Sequence, residues 1–372
     1  MKVLFAGGGT GGHLYPAIAV ARHLRRAVPE AECLFLGSRG GLESRIVPQE
    51  GFALQTIPSS GFRRLGWGGR LRFFWSLGRG LVAALGLVRR FRPDLVVATG
   101  GHASLAGGLA AVAWRRPLVV QEQNRIPGFA TRLLARFARR IYVGFPGTER
   151  AFRHPERVRC LGNPVRDELL QPQQPLAGLP AGVPVILVLG GSRGARSINR
   201  AVAEAIPLLA SDRRLVWIWQ TGALDHAAMA PRWQDTPDVW LRDYVADVGA
   251  AYAASTLLVC RAGAMTLAEI TALGKPAILV PFPGAVDDHQ TANARTLADA
   301  GAAVLVPDAE LSGARLHAEI TALLNQADRL PAMARLSRSL GRPEATRALV
   351  EDFLAVIGAA TLVGRGATCS DA

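Results

Sequence analysis

Residues 5–16 read FAGGGTGGHLYP and residues 190–199 read GGSRGARSIN. Each is a glycine loop that follows an apolar run, KVLFA at 2–6 and VILVL at 185–189. A strand that breaks into glycines just before a helix is how a doubly wound α/β domain begins. Glycine lets the backbone approach a ligand, and the helix N-terminus behind it offers unpaired N–H groups. Two such starts in one chain predict two such domains.

The rest of the chain fits that division. CLFLG, DLVVATG, PLVVQE and RIYVGF follow the first loop; LVWIWQTG, TLLVC, PAILVPF and AAVLV follow the second. These runs are apolar on both faces, as parallel strands covered by helices are. Helical segments such as PAIAVARHLRRA lie between them, and Pro16 suits a first helical position. A Pro/Gln-rich stretch, QPQQPLAGLPAGVP at 171–184, leads into the second half. The expected fold class is α/β, with two facing doubly wound, Rossmann-like domains, 1–163 and 164–343, and a cleft between them. The helix at 344–358 has no strand after it and can pack on either domain; it is grouped with the first. The tail 359–372 is small and polar and is expected to be disordered.

A chain of 372 residues, 49% of them hydrophobic, has ample material for two cores. Cys33, Cys160, Cys260 and Cys369 are far apart and form no C-x-x-C pair, which predicts reduced, buried thiols rather than disulfides or a zinc site. The chain opens on a strand-like run without a secretion signal, so a cytoplasmic protein is expected. The formal charge is +14, and apart from Lys2 and Lys275 the basic residues are arginines. Such a balance points to nucleic acid, a phosphorylated substrate or an anionic membrane face.

Arginines cluster from Arg63 to Arg92, where no acidic residue occurs. In a helix from about Leu71, the residues Leu71, Phe74, Trp75, Val82, Leu85 and Val88 would form one buried stripe. Phe73 and Leu77 would then fall toward solvent. With Trp67 and the nearby arginines they would make a shallow contact with anionic lipid. No apolar run reaches the roughly 18–20 residues that span a bilayer.

The first loop fits G-x-G-x-x-G through Gly7, Gly9 and Gly12. A dehydrogenase would carry an acid at the end of its second strand, but this chain has Leu36-Gly37-Ser38-Arg39 there. Ser-Arg can take a 2′-phosphate, so an NADP-dependent oxidoreductase remains one reading. The second loop favours another, a reaction between two phosphorylated substrates. The stretch 260–294 adds to it. There Gly263 turns a strand into a helix whose first turn, from Ala264, can hold a diphosphate. Glu269, a turn further on, suits ribose hydroxyls, and Gln290 can bond sugar hydroxyls in both directions. Asp288 can cap the helix that follows.

Six motifs occur in order: G-G-G-T-G-G-H-x-x-P, EQN-x-x-P-G (122–128), GNPVR (162–166), GGS-x-G-A-x-x-x-N (190–199), CRAGAMTLAE (260–269) and DDHQTANA (287–294). In these the chain resembles the MurG family of bacterial cell-wall glycosyltransferases, from residue 1 to about 357. The resemblance implies a GT-B architecture and transfer of N-acetylglucosamine from UDP-GlcNAc to lipid I, giving lipid II. It implies that Ser192 and the Gly190–Gly191 backbone meet the diphosphate and that Arg166 and Asn124 reach the donor. It places Val245 against the uracil edge and Ala264, Met265, Thr266, Leu267, Ala268 and Glu269 around phosphate and ribose. Gln290 would hold the GlcNAc, and Thr10, Gly11 and Gly12 would lie at the donor's sugar end. Two departures fall on the acceptor side: Gln121 replaces a histidine of the family pattern, and His102 replaces a tyrosine. The resemblance also implies inversion by in-line attack of the acceptor's 4-hydroxyl, which needs a general base. His13 is the first candidate and Glu122 the second. No Asp-x-Asp occurs, so no tightly bound metal or other cofactor is expected; a divalent ion could act through the acceptor diphosphate. Expected partners are UDP-GlcNAc, lipid I, anionic inner-membrane lipids and other cell-wall synthesis proteins, with no nucleic acid. The expected location is peripheral, on the cytoplasmic face of the inner membrane. Alternatives are a GT-B enzyme using another UDP-sugar and lipid, or an arginine-rich scaffold without enzymatic activity.

Overall fold

The computed structural model describes residues 1–58, 67–174, 176, 178–191 and 193–366; within these, the side chains of 67–74, 77 and 359–366 are not described. Two compact units emerge, Met1–Pro164 with Glu344–Ala372, and Val165–Pro343.

The first unit is a parallel sheet of β1 (Lys2–Gly7), β2 (Glu32–Ser38), β3 (Ala53–Ile57), β4 (Leu95–Gly100), β5 (Leu118–Glu122), β6 (Arg140–Val143) and β7 (Val158–Cys160). Its order is β3-β2-β1-β4-β5-β6-β7. The second unit repeats the pattern with β8 (Val185–Leu189), β9 (Val216–Gln220), β10 (Val239–Arg242), β11 (Leu257–Cys260), β12 (Ala277–Leu279) and β13 (Ala303–Leu305), ordered β10-β9-β8-β11-β12-β13. In each unit the direction of winding reverses beside the first strand, between β1 and β4 and between β8 and β11. Both glycine loops leave the sheet at that switch point. β1, β4, β5 and β8 are buried along both faces, which is why their sequences do not alternate.

The helix Ala345–Gly366 belongs to the first unit. Leu349, Val350, Phe353 and Val356 join the core around Val3, Phe5, Leu14 and Leu24. The Tyr142 hydroxyl donates to Asp352 Oδ2 at 2.5 Å, and its ring lies 5.4 Å from that of Phe353. Burial first, then the Asp352 carboxylate, raise the Tyr142 pKa far above that of a free phenol. The backbone stays helical to Gly366, so the tail expected to be disordered from 359 is helical over its first part; 367–372 lie outside the described residues.

Three other expectations change. The first helix runs Gly11–Ala27 and contains Pro16 rather than starting at it. The N–H groups of His13 and Leu14 turn back to the Thr10 carbonyl and close the first turn earlier. Pro16 then forgoes only the bond to the Gly12 carbonyl.

The helix Trp67–Phe91 buries a face rotated from the one its hydrophobicity suggests. Val88 is buried and Leu85 packs against the core as expected, but Ser76, Ala84 and Leu87 also point inward, while Trp75 is 65% and Val82 70% exposed; the side chains of Leu71 and Phe74 lie outside what is described. Gly80 explains the rotation: a Cβ there would stand 3.3 Å from both Ile57 Cδ1 and the Pro58 carbonyl. Small residues at 76, 80 and 84 let the helix lie close, which a tryptophan would prevent. The guanidinium of Arg79 stacks over the outward Trp75 ring at 4.6 Å. The side chains of Trp67, Phe73 and Leu77, like residues 61–66, lie outside what is described. Among the described residues no helix is long and apolar enough to cross a membrane.

None of the three described cysteines is in a disulfide, but of these only Cys260 is fully buried. Cys160 is exposed because β7 is an edge strand. Burial pushes the Cys33 thiol up to about 11 and the Cys260 thiol up to about 12. Cys369 lies outside the described residues.

Candidate functional site

The first glycine loop is not an empty phosphate cradle. Glu43, in the short helix after β2, is completely buried, and its carboxylate accepts the Gly9 N–H at 2.9 Å and the Ser38 N–H at 2.6 Å. A Cβ on Gly8 or Gly41 would overlap that carboxyl group, and one on Gly37 the Cγ of the same side chain, at 2.5 Å or less. The glycines therefore make room for the Glu43 side chain, which takes up amide donors of the loop. Ser38, the candidate for a 2′-phosphate, gives its N–H to the same group. Glu43→Gln places an NH2 group against one of these two amide donors. We expect it to lower stability by roughly 2–3 kcal/mol and leave UDP affinity unchanged. Thermal unfolding and nucleotide titration check this; an unaltered melting temperature would contradict it.

Thr10 precedes the helix with an extended backbone and no side-chain cap, so the N–H groups of Gly11 and Gly12 sit in an open first turn. His13 follows them, partly exposed. Its Nδ1 is 3.1 Å from Gln123 Oε1, and its ring lies against Gly100, where a Cβ would come within 2.6 Å of Nδ1. Glu122, the second candidate base, is 2% exposed and organises its own loop. It accepts the Asn124 N–H at 3.0 Å, the Asn124 Nδ2 at 3.3 Å and the Gly128 N–H at 3.1 Å. To take a substrate's proton it would have to release the loop it holds. His13 is free of that cost.

In the second unit the glycine loop after β8 is locked by neighbouring backbone. Gly194 has φ 81°, and a Cβ on it would lie 2.1 Å from the Thr221 carbonyl oxygen. Gln220, at the end of β9 and 5% exposed, donates to the Gly191 carbonyl at 3.1 Å and accepts the Val245 N–H at 3.0 Å. The Val245 N–H is thereby bound already, which leaves its carbonyl as the polar group of that residue without this bond. Asn199, the last residue of the second loop's motif, is fully buried. It accepts from the Trp219 indole at 3.0 Å and donates to the Thr221 carbonyl at 2.8 Å and to Asp225 at 3.0 Å. Ser192 lies outside the described residues.

The helix Ala264–Leu273 starts at Gly263 without a side-chain cap and without an acid in its first turn. The N–H groups of Ala264, Met265 and Thr266 thus form a pole of positive potential. Leu267 is a core residue whose N–H turns back to the Gly263 carbonyl, and Ala268 and Glu269 follow in the next turn. Glu269 Oε2 accepts from the Tyr252 hydroxyl at 2.9 Å, and Oε1 accepts from Arg166 Nη2 at 3.3 Å. Burial raises the Glu269 pKa, with the Arg166 charge and the Tyr252 bond opposing it. Tyr252 is raised too, by burial first and then by Glu269. The arrangement gathers a helix N-terminus, a cation and a carboxylate, which suits a diphosphate next to a diol.

Beyond β12, Asp287 and Asp288 both have positive φ, 51° and 50°, before the helix His289–Ala298. Two successive left-handed aspartates store strain that the surrounding structure must hold. Asp288 accepts from the Thr291 hydroxyl at 2.7 Å instead of capping a backbone N–H. Gln290 uses Oε1 to accept the Phe282 N–H at 2.9 Å. Nearby, Arg261 bonds Asp308 at 2.5 Å and Ser197 at 2.8 Å, tying the end of β11 to the helix after the glycine loop.

Sequence reasoning missed Glu43, Gln123 and Gln220. Gln220 had a readable signal, a polar residue ending an apolar strand just before a glycine. Among the described residues, no group of three or more His, Cys, Asp or Glu side chains could hold a metal ion.

Comparison with known proteins identifies the family. Residues 3–143 match the glycosyltransferase family 28 N-terminal domain and residues 185–348 the family 28 C-terminal domain. A relative from Alkalilimnicola ehrlichii is 45% identical over 359 residues, covering 93% of this chain and 96% of its own. One from Anaeromyxobacter dehalogenans is 42% identical over 356 residues, covering 94% and 92%. Both are named UDP-N-acetylglucosamine--N-acetylmuramyl-(pentapeptide) pyrophosphoryl-undecaprenol N-acetylglucosamine transferase. The crystal structure of Acinetobacter baumannii MurG superposes with a TM-score of 0.74 at 29% identity, covering 94% of this chain and 98% of its own. An oxidoreductase and a non-enzymatic scaffold are thereby set aside, and the chain belongs to glycosyltransferase family 28.

Proposed function

We propose that this chain transfers N-acetylglucosamine from UDP-GlcNAc to the 4-hydroxyl of the muramyl sugar of lipid I, giving lipid II for peptidoglycan synthesis. The observation that carries the reading is the second unit's uncapped helix N-terminus at Ala264 with the Arg166–Glu269–Tyr252 cluster beside it. The relatives' printed name supplies the substrates.

In this reading the main-chain amides of Ala264–Thr266, with Ser192 and Arg166, receive the diphosphate. Glu269 takes the ribose hydroxyls, Val245 the uracil edge and Gln290 the GlcNAc. The first unit receives the acceptor, and Thr10, Gly11, Gly12 and Asn124 help to orient the reacting sugar. His13 removes the proton from the attacking hydroxyl, and the bond from the anomeric carbon to UDP breaks as the new one forms. The departing UDP takes the electron pair, which is why amides and a guanidinium belong at its phosphates. A divalent ion would act through the acceptor's own diphosphate.

The outward Trp75, Val82 and Arg79 support contact of the helix Trp67–Phe91 with anionic inner-membrane lipid, together with Trp67, Phe73 and Leu77. The chain would then work as a peripheral protein on the cytoplasmic face, where other cell-wall synthesis proteins could meet it. The test is transfer of radiolabelled GlcNAc to a short-chain lipid I analogue. The reading requires a β-linked disaccharide product from UDP-GlcNAc. Equal rates with UDP-glucose or UDP-GalNAc, or no transfer, would overturn it.

A further inference from the structure

We infer that Gln123 fixes the tautomer of His13, so that Nε2 is the atom that accepts the acceptor's proton. This rests on the reading of His13 as the base and goes beyond it by naming the atom and what prepares it. Gln123 is 1% exposed, and its carboxamide has its two ends set by different partners. Its Nε2 faces the Gln121 carbonyl at 3.4 Å, which can only accept, so Oε1 is the end turned to His13. The reverse orientation would set two oxygens against each other. An amide oxygen at 3.1 Å from Nδ1 needs a proton on Nδ1, and the lone pair is then left on Nε2.

The support is rigid on both sides. The Gln123 carbonyl accepts from Asn163 Nδ2 at 2.9 Å, and Asn163 fills the space where a Cβ on Gly144 would be. On the other side the imidazole lies on Gly100, which has φ 108° and no side chain to displace it. The nearby carboxyl groups have backbone partners of their own. Glu122 is bound to the Asn124 and Gly128 amides and Glu43 to those of Gly9 and Ser38. Burial lowers the pKa of His102, on the helix after Gly100, which disfavours its charged form. In the step, the acceptor O–H bond breaks and its proton passes to Nε2. The oxygen forms the new bond to the anomeric carbon, and the old C–O pair leaves with UDP. Gln123 touches no substrate; it is a positioning residue.

The experiment compares Gln123→Met, Gln123→Glu and His13→Ala in the full chain, reading kcat, UDP affinity and the pH profile. Gln123→Met should lower kcat by about tenfold or more at unchanged UDP affinity, below the roughly 10²–10⁴ that a general base contributes. Gln123→Glu sets a carboxylate beside the imidazole, which favours the protonated, inactive form. The acid limb of its kcat profile should therefore move to higher pH by about one unit, with activity recovered above it. An unmoved limb, or a Gln123→Met enzyme as fast as wild type, overturns the inference while a slow His13→Ala leaves the base reading intact. A His13→Ala enzyme at full speed overturns both. Nitrogen-15 NMR of the wild-type chain gives a direct readout: His13 should carry its proton on Nδ1, and a proton on Nε2 overturns the assignment whatever the variants do.

Discussion

His13→Ala should lower kcat by about 10²-fold or more while UDP binds with wild-type affinity. The two effects separate because the histidine and the groups proposed to hold UDP belong to different units of the chain. His13 sits in the first turn of the helix after β1, held by Gln123 and by the close approach of Gly100. Alanine keeps the helix and removes only the imidazole. Because the side chain is partly exposed, its loss opens no sealed cavity and folding should survive. Steady-state kinetics with a soluble acceptor, alongside calorimetric titration of UDP, check both parts. A wild-type kcat would remove His13 from the base role, and a large loss of UDP affinity would mean that the nucleotide is held differently.

The complementary result is expected at the far end of the chemistry. Glu269→Gln should weaken UDP binding by about tenfold to a hundredfold, the loss of roughly 1.5–3 kcal/mol when hydroxyls bonded to a charged acceptor lose that charge. The substitution keeps the shape of the side chain and an oxygen for the Tyr252 hydroxyl, but it sets an NH2 group or a neutral oxygen against Arg166. The sign of the pH dependence follows from the same pair. Burial raises the Glu269 pKa, so on acidification this carboxyl is protonated sooner than an ordinary glutamate. On the proposed reading the charged form accepts the ribose hydroxyls, so wild-type UDP affinity should fall with decreasing pH from a point above the ordinary glutamate value. Bound ribose, by favouring the charged form, moves that point down in the complex. Glu269→Gln should lose this component. Titrations of UDP at several pH values read it, and an unchanged affinity in the variant would remove Glu269 from the ribose.

How much of this was legible depends on what each residue's signal reports. The strands named from sequence are β1, β2, β4, β5 and β6 in the first unit and β8, β9, β11, β12 and β13 in the second. Those not named, β3, β7 and β10, all lie at a sheet edge. A run apolar on both faces marks a strand covered on both, and an edge strand such as ALQTI or VRC has no need of that pattern. The helix Trp67–Phe91 taught the opposite lesson. Hydrophobicity pointed Trp75 and Val82 inward, but close packing selected the small residues Ser76, Gly80 and Ala84. Periodicity reports that a face exists, whereas the distance available beneath it decides which face is buried.

The two glycine loops illustrate the limit for the site. Their sequences report the same backbone freedom, and both leave the sheet at its switch point. What fills the first is Glu43, a residue outside the motif, brought in by the turn after β2. No spacing within GGGTGGH could have announced it. The helix beginning at Ala264 was legible because its glycine turn and its glutamate lie within six residues of one another in sequence. Gln123 was not, since its role comes from a contact with a residue 110 positions away.

At the centre of the account is a nucleotide-sugar whose diphosphate is held by main-chain amides of the second unit. A crystal structure of the chain with UDP-GlcNAc measures that directly. The account predicts the diphosphate within hydrogen-bond distance of the Ala264–Thr266 amides, with both ribose hydroxyls on Glu269. A diphosphate seated instead on the Gly7–Gly12 loop, with the Glu43 carboxylate displaced to admit it, would contradict it.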